Sequence, residues 1–199
     1  MKSPHTDILE CLDQIINDTA THIHDFIDSE SAFTKRRKLT AVETIKTTIN
    51  MQGNCLDKEL FDAFGNNQNK LMSSSAYVQQ KSKLSPACFK HIFQTLNHNL
   101  ALTNLLDNKY RVFAIDESDF NQSWNPKSKN TIKSSSSKNK PYCQFHANII
   151  YDLMNNTYQD CIVQPKKQMD ERSAAIEILK ELDVGPCVYC HYGSWIHRL

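Results

Sequence analysis

Apolar residues in the first hundred positions recur at helical spacing. Ile8, Leu9, Leu12, Ile15 and Ile16 form one stripe. A second follows Thr40-Ala41-Val42-Glu43, a capping box in which Thr40 accepts from the first turn and Glu43 reaches back. Behind it Val42, Ile45, Ile49 and Met51 predict a helix near 41–51. Leu56, Leu60, Phe61 and Phe64 predict a short third helix, stopped by Gly65-Asn66-Asn67. A fourth is expected over 74–83, with Tyr77 and Val78 inward and Gln79, Gln80, Lys81 and Lys83 outward. Ser85-Pro86 places a cap and an N1 proline before a fifth, whose stripe is Phe89, Ile92, Phe93 and Leu96.

The period changes near residue 109. Tyr110-Arg111-Val112-Phe113-Ala114-Ile115 is apolar and rich in strand formers, and it is expected to stop at Asp116. Residues 121–141 are rich in Asn, Ser, Lys and Pro and read as a long polar loop or hairpin excursion. Strands follow near 143–151 and 158–163, joined by a turn at Asn155-Asn156, which predicts an antiparallel hairpin. Ala174, Ala175, Ile178, Leu179 and Leu182 then mark a helix over about 170–182. No internal repeat is visible. The fold class expected is mixed α+β or α/β: a helical front, then three strands and a helix.

Composition narrows the class. The 199 residues are 40% apolar and 23% charged, with four Gly and six Pro, as in an ordinary folded protein. No apolar run reaches the ~18–20 residues that a membrane helix needs. The opening MKSPHTDILECLDQ has no apolar signal core. Seven cysteines, odd in number and scattered, point to a reduced, cytoplasmic protein. The net charge of +1 hides an asymmetry. Residues 1–32 hold one Lys against seven acids, 33–140 hold 17 Lys or Arg against eight acids, and 141–199 hold five against seven. A basic block between acidic flanks suggests a polyanionic partner such as nucleic acid.

Three groups of residues carry candidate chemistry. Lys35, Arg36, Arg37 and Lys38 precede the capped helix and suit phosphate contacts, whose affinity depends on salt and not on sequence. Gln79, Gln80, Lys81 and Lys83 have the composition of a major-groove reader. The stretch 65–73 is long for the turn of a helix-turn-helix. Asp116, at the expected end of an apolar strand, would present a carboxylate at the lip of a sheet, where a metal ion for phosphoryl transfer is often held. The tail carries Cys187-x-x-Cys190-His191 and His197, but without a second ligand pair it is a weak zinc signal.

Several segments, in order, resemble bacterial DDE-type insertion-sequence transposases of the insertion-sequence-four group. They are FTKRRKLT at 33–40, SAYVQQKSKLSPACFKHIF at 75–93, YRVFAIDESD at 110–119, HANIIYDLMNNTYQDCIVQP at 146–165 and QMDERSAAIEIL at 168–179. The resemblance covers about residues 30–182. It implies an RNase H-like catalytic domain in which two Asp and one Glu hold two Mg²⁺ or Mn²⁺ ions for in-line attack on phosphate. Asp116 matches the first acid and would be both catalytic and metal-binding. Glu117 departs from the small residue usual after it. Asp119 is an alternative ligand, and Asp152 and Asp160 read as structural.

The family expects a second Asp soon after the 170–182 helix and a Glu further on, but no acid follows Asp183 in this sequence. With Gly193 laid on the glycine after the second Asp, His191 takes the acid's place. The resemblance therefore implies a transposase cut short and inactive alone. Its layout would be an acidic helical segment (1–32), a basic DNA-binding region (33–108), a partial RNase H-like domain (109–183) and an atypical tail (184–199). The partner implied is double-stranded DNA at the element ends, with full-length transposase or a second copy of the chain as a protein partner. The alternative is a non-catalytic protein that occupies those ends and inhibits transposition. Without a fourth strand, Val112 to Ile115 would border an exposed edge. Residues 187–192 are the candidate substitute strand, with low stability expected either way.

Overall fold

The computed structural model describes residues 4–35, 38–67, 69–100, 102–128, 130–132, 140–166, 170–182, 188–192 and 195–198. The chain is a mixed α and β protein that divides into two compact units, Met1–Leu100 and Ala101–Leu199. No described helix is long and apolar enough to cross a membrane.

The first unit is helical: α1 (Pro4–Thr21), a 3-10 turn (Ile23–Phe26), α2 (Ala41–Ile49), α3 (Leu56–Phe64), α4 (Ser74–Lys81) and α5 (Pro86–Asn99). Ile15 and Ile16 of α1 pack with Ile45 of α2 and with Leu84, Cys88 and Ile92 beside and within α5. The acidic first segment thus shares one core with the basic region after it. A second cluster joins Leu39, Leu60 of α3 and Tyr77 of α4. The Tyr77 hydroxyl lies 2.7 Å from Thr48 Oγ1.

The predicted capping box is present. Thr40 Oγ1 accepts from Glu43 N at 3.2 Å, and Thr40 N donates to Glu43 Oε2 at 2.9 Å. Burial pushes the Glu43 carboxyl up, but hydrogen bonds from Lys70 and Thr40 outweigh it and hold the group below its ordinary range.

One helix face departs from expectation. Tyr77 is buried, but Val78 is 52% exposed and Gln80 is buried. Positions 77 and 80 lie at i and i+3 on α4 and form its buried face. The polar residue on it concealed that face from a hydrophobicity reading.

The second unit is built on one sheet of six strands: β1 (Arg111–Gln122), β2 (Thr131–Ile132), β3 (Tyr142–Asp152), β4 (Thr157–Pro165), β5 (Val188–Tyr192) and β6 (Trp195–Arg198). β1 and β4 flank β3 and are antiparallel to it, and β2 pairs with its first residues. Asn156 takes the left-handed conformation (φ 54°) in the β3–β4 turn, a conformation asparagine tolerates. Helix α6 (Glu171–Glu181) lays Ile178 on Phe113, Ile115 and Ile150.

One expectation about this unit changes. β1 does not stop at Asp116 but continues to Gln122, because residues 116–122 keep pairing with β3 from Ile149 back to Cys143. The tail supplies the strand expected as a substitute: β5 runs parallel to β1 from Arg111↔Val188 to Ile115↔Tyr192. β6 then pairs antiparallel with β5 and forms the outer edge.

Candidate nucleic-acid interface and the acidic strand

In the first unit, lysines gather around the C-terminal end of α4. Exposed Lys35 lines a cleft of about 260 Å³ with Ser29, Ser31, Phe33, Gln80 and Lys83. Exposed Lys38 lines a second, of about 570 Å³, with Met72, Ala76, Gln79, Gln80 and Lys83. Gln80 and Lys83 border both clefts, and no acidic residue is among the described residues that line either. Lys81 is exposed on α4. Lys38 Nζ donates to the Leu71 carbonyl at 3.0 Å. Lys83 Nζ donates to Gln80 Oε1 at 2.7 Å and lies 6.0 Å from the Phe33 ring centroid. Phe33 adopts φ 60°, so the loop before Lys35 turns sharply. Arg36 and Arg37 lie outside the described residues.

The structure corrects the reading of Gln80 as a base-edge reader. Its side chain is 7% exposed, with Nε2 directed at the Leu39 carbonyl at 3.4 Å and Oε1 held by Lys83. Both ends of the amide face protein. Gln80 therefore ties Leu39 to α4 and fixes Lys83, while Gln79 remains exposed.

In the second unit, Asp116 is exposed in the middle of β1, across from Ile149 of β3. It does not stand at the sheet's lip. Strand alternation gives its face Ala114 and Ser118 along β1, and Ile149, Tyr151 and Ala147 across from them. Among the described residues no three His, Cys, Asp or Glu side chains are grouped to hold a metal. The surroundings of Asp116 thus do not fit a two-ion centre. Asp152 and Asp160 take no part in one either. Asp152 is fully buried and bound by Arg111 and the β3–β4 turn, and Asp160 Oδ1 accepts from Cys161 N at 2.7 Å.

Glu117 and Asp119 collect with His146 and Asn148, which the sequence reading passed over, on the opposite face of the sheet, beside the N-terminus of α6. Glu117 pairs across the ladder with Asn148, and Asp119 with His146. His146 Nδ1 lies 2.8 Å from Asp119 Oδ1, whose carboxylate also receives Lys166. Lys166 and His146 hold Asp119 below its ordinary range. Burial pushes the Glu117 carboxyl up. Charge repulsion from Glu171 and a hydrogen bond shared with it add to the rise, which His146 partly offsets. The available signal was alternation: in β3, His146 and Asn148 occupy the same face as Ile150, where apolar residues were due.

No protein-family model, no curated protein and no solved structure matches this chain.

Proposed function

We propose that this protein acts in DNA transposition as a DNA-binding chain related to DDE transposases, and that binding duplex DNA is what its own described residues perform. The observation that carries the reading is the lysine-lined pair of clefts around α4. Lys35 and Lys38 each line one cleft, Lys83 lines both, no acidic side chain is among the described residues lining either, and Lys81 stands exposed on α4. Such a surface suits the phosphate backbone, where charge gives affinity and register. Burial of Gln80 argues for backbone contact over base reading.

The topology of the second unit supports an RNase H-like domain as the resemblance implies. Three antiparallel strands lead to a helix and then to a strand parallel to the first. The antiparallel β6 departs from that pattern. Asp116 would be the first acid of the catalytic set. That no three His, Cys, Asp or Glu side chains among the described residues are grouped to hold a metal favours the non-catalytic alternative, a protein that occupies element ends.

Fluorescence anisotropy with a labelled duplex, titrated at several salt concentrations, tests the reading. Binding should weaken linearly on log–log axes, with a slope of about −0.9 per neutralised phosphate. The variant Lys35→Glu/Lys38→Glu/Lys81→Glu should bind at least about tenfold more weakly at low salt. Affinity indifferent both to salt and to this variant would refute the proposal. Mg²⁺-dependent nicking of the duplex, abolished by Asp116→Ala, would instead establish a catalytic protein.

A further inference from the structure

We infer that the polar pocket between β1, β3 and the start of α6 is a binding site for a hydrated divalent cation with a preference for oxygen ligands, held by Glu117, Glu171 and Asn148 Oδ1. This site lies on the sheet face opposite Asp116 and does not depend on DNA binding.

The first ground is the orientation of Asn148. Its side chain is 1% exposed, and Nδ2 lies 3.3 Å from Gln164 Oε1. The same Gln164 oxygen accepts from the backbone N–H of Asp170 at 3.1 Å. A backbone N–H can only donate, so that end of Gln164 is the oxygen, and the end of Asn148 that meets it is the NH₂. Asn148 Oδ1 is therefore directed away from β4. It has no hydrogen-bond partner and is buried. An unpartnered buried acceptor is rare and costly.

The second ground is what stands beside that oxygen. Glu117 is the residue across the ladder on the same face, so its Cβ stands about 5 Å from that of Asn148. Glu171, the first residue of α6, is close enough to Glu117 for the two carboxyls to repel each other. His146 contributes a second orphan, Nε2, buried and without a partner. In the tautomer that puts the hydrogen on Nδ1, facing the Asp119 carboxylate, Nε2 offers a lone pair.

The site thus offers two carboxylates and an amide oxygen as ligands, with His146 Nε2 outside that ligand set. A cation resolves this arrangement. It is held between the two carboxylates and takes Asn148 Oδ1 as a neutral ligand. Magnesium-like ions keep several waters, and a metal-bound water can donate to His146 Nε2. Glu117 is exposed, so the pocket is open to solvent on that side. The ligand set of two carboxylates and one amide oxygen is hard, which selects Mg²⁺, Mn²⁺ or Ca²⁺ over zinc.

The test is thermal unfolding of the whole chain, followed by circular dichroism, with Mg²⁺, Mn²⁺ or Ca²⁺ chloride added at matched ionic strength. A bound ion should raise Tm progressively with its concentration. The rise should vanish in Glu117→Gln and in Glu171→Gln and persist in Asp116→Asn. Mn²⁺ should also broaden the Asn148 side-chain NH₂ signals in ¹⁵N-correlated NMR spectra before those of other asparagines. This second readout holds even if the Gln variants lose stability. No Tm response to any of the three ions would overturn the inference. So would a response that Glu117→Gln and Glu171→Gln retain, or Mn²⁺ broadening that spares Asn148.

Discussion

Arg111, at the start of β1, clamps the fully buried carboxylate of Asp152, at the end of β3. Its Nε and Nη2 lie 3.1 and 2.8 Å from Asp152 Oδ2. Asp152 Oδ1 accepts from the backbone N–H groups of Met154 and Asn155, at 2.9 and 3.0 Å. The guanidinium also reaches Gln159 Oε1 at 3.0 Å and lies 4.7 Å from the Phe113 ring centroid. One carboxylate therefore joins a strand end to the turn that launches β4. Asp152→Ala would leave the guanidinium without its partner and free two turn amides. Loss of about 3–5 kcal/mol is expected, as for one partner of a buried pair. A urea midpoint unchanged from that of the unaltered protein would show that the clamp carries no stability.

The capping carboxylate of Glu43 predicts a pH dependence of definite sign. Its folded pKa is lowered, because the bonds from Lys70 and Thr40 outweigh burial. A lowered carboxylate contributes stability that is fully present above its ordinary value of 4.5 and is lost as pH falls through the folded value. Glu43→Gln can keep the cap geometry but loses the charge. Its unfolding free energy should fall less steeply below pH 4.5 than that of the unaltered protein. The two denaturation curves, measured between neutral and acid pH, should converge on the acid side. Parallel curves would show that Glu43 is uncoupled from folding.

The described cysteines should react in a fixed order. Cys55 is exposed at the cap position of α3, whereas Cys88 is fully buried in the core of the first unit. Burial pushes the Cys88 thiol up to about 11, so at pH 8 roughly one molecule in a thousand carries the thiolate. A chromogenic disulfide reagent followed by peptide mapping should find Cys55 labelled promptly. Cys88 should be labelled only when denaturant opens the helical core. Prompt native-state labelling of Cys88 would mean that α5 opens locally at low free energy.

What the sequence revealed, and what it hid, follows from the kind of signal each element sends. The Thr40–Glu43 box and the Ser85-Pro86 start are local chemistry, and both helices begin where those residues put them. The tail's place beside β1 was also visible, because an apolar strand edge demands a partner. β1 beyond Asp116 was not visible. Glu117, Ser118 and Asp119 are poor strand formers, and only their pairing with β3 keeps them extended. The role of Gln80 was hidden for the same reason, since its partners Leu39 and Lys83 are set by tertiary structure. The lysines 35, 38, 81 and 83 could be picked out by charge alone. That Gln80 and Lys83 line both clefts is a fact of the fold.

Gln80 separates two ways in which this surface could meet DNA. If Gln80 read a base, Gln80→Ala would relax preference for one base pair while leaving affinity for other sequences unchanged. The structure predicts the reverse. Its amide bridges the Leu39 carbonyl and the Lys83 ammonium from a buried position, so its loss frees Lys83 and leaves the Leu39 carbonyl unpaired. Gln80→Ala should destabilise the first unit by about 1 kcal/mol. It should also weaken binding to every duplex by a similar factor, because a displaced lysine weakens phosphate contacts irrespective of sequence. Lys83→Ala should weaken binding to the same set of duplexes without leaving the Leu39 carbonyl unpaired, and so at smaller loss of stability. Anisotropy titrations of both variants against duplexes that differ at single positions decide the matter. A loss confined to one base pair in Gln80→Ala would mean that the side chain leaves its buried site when DNA binds.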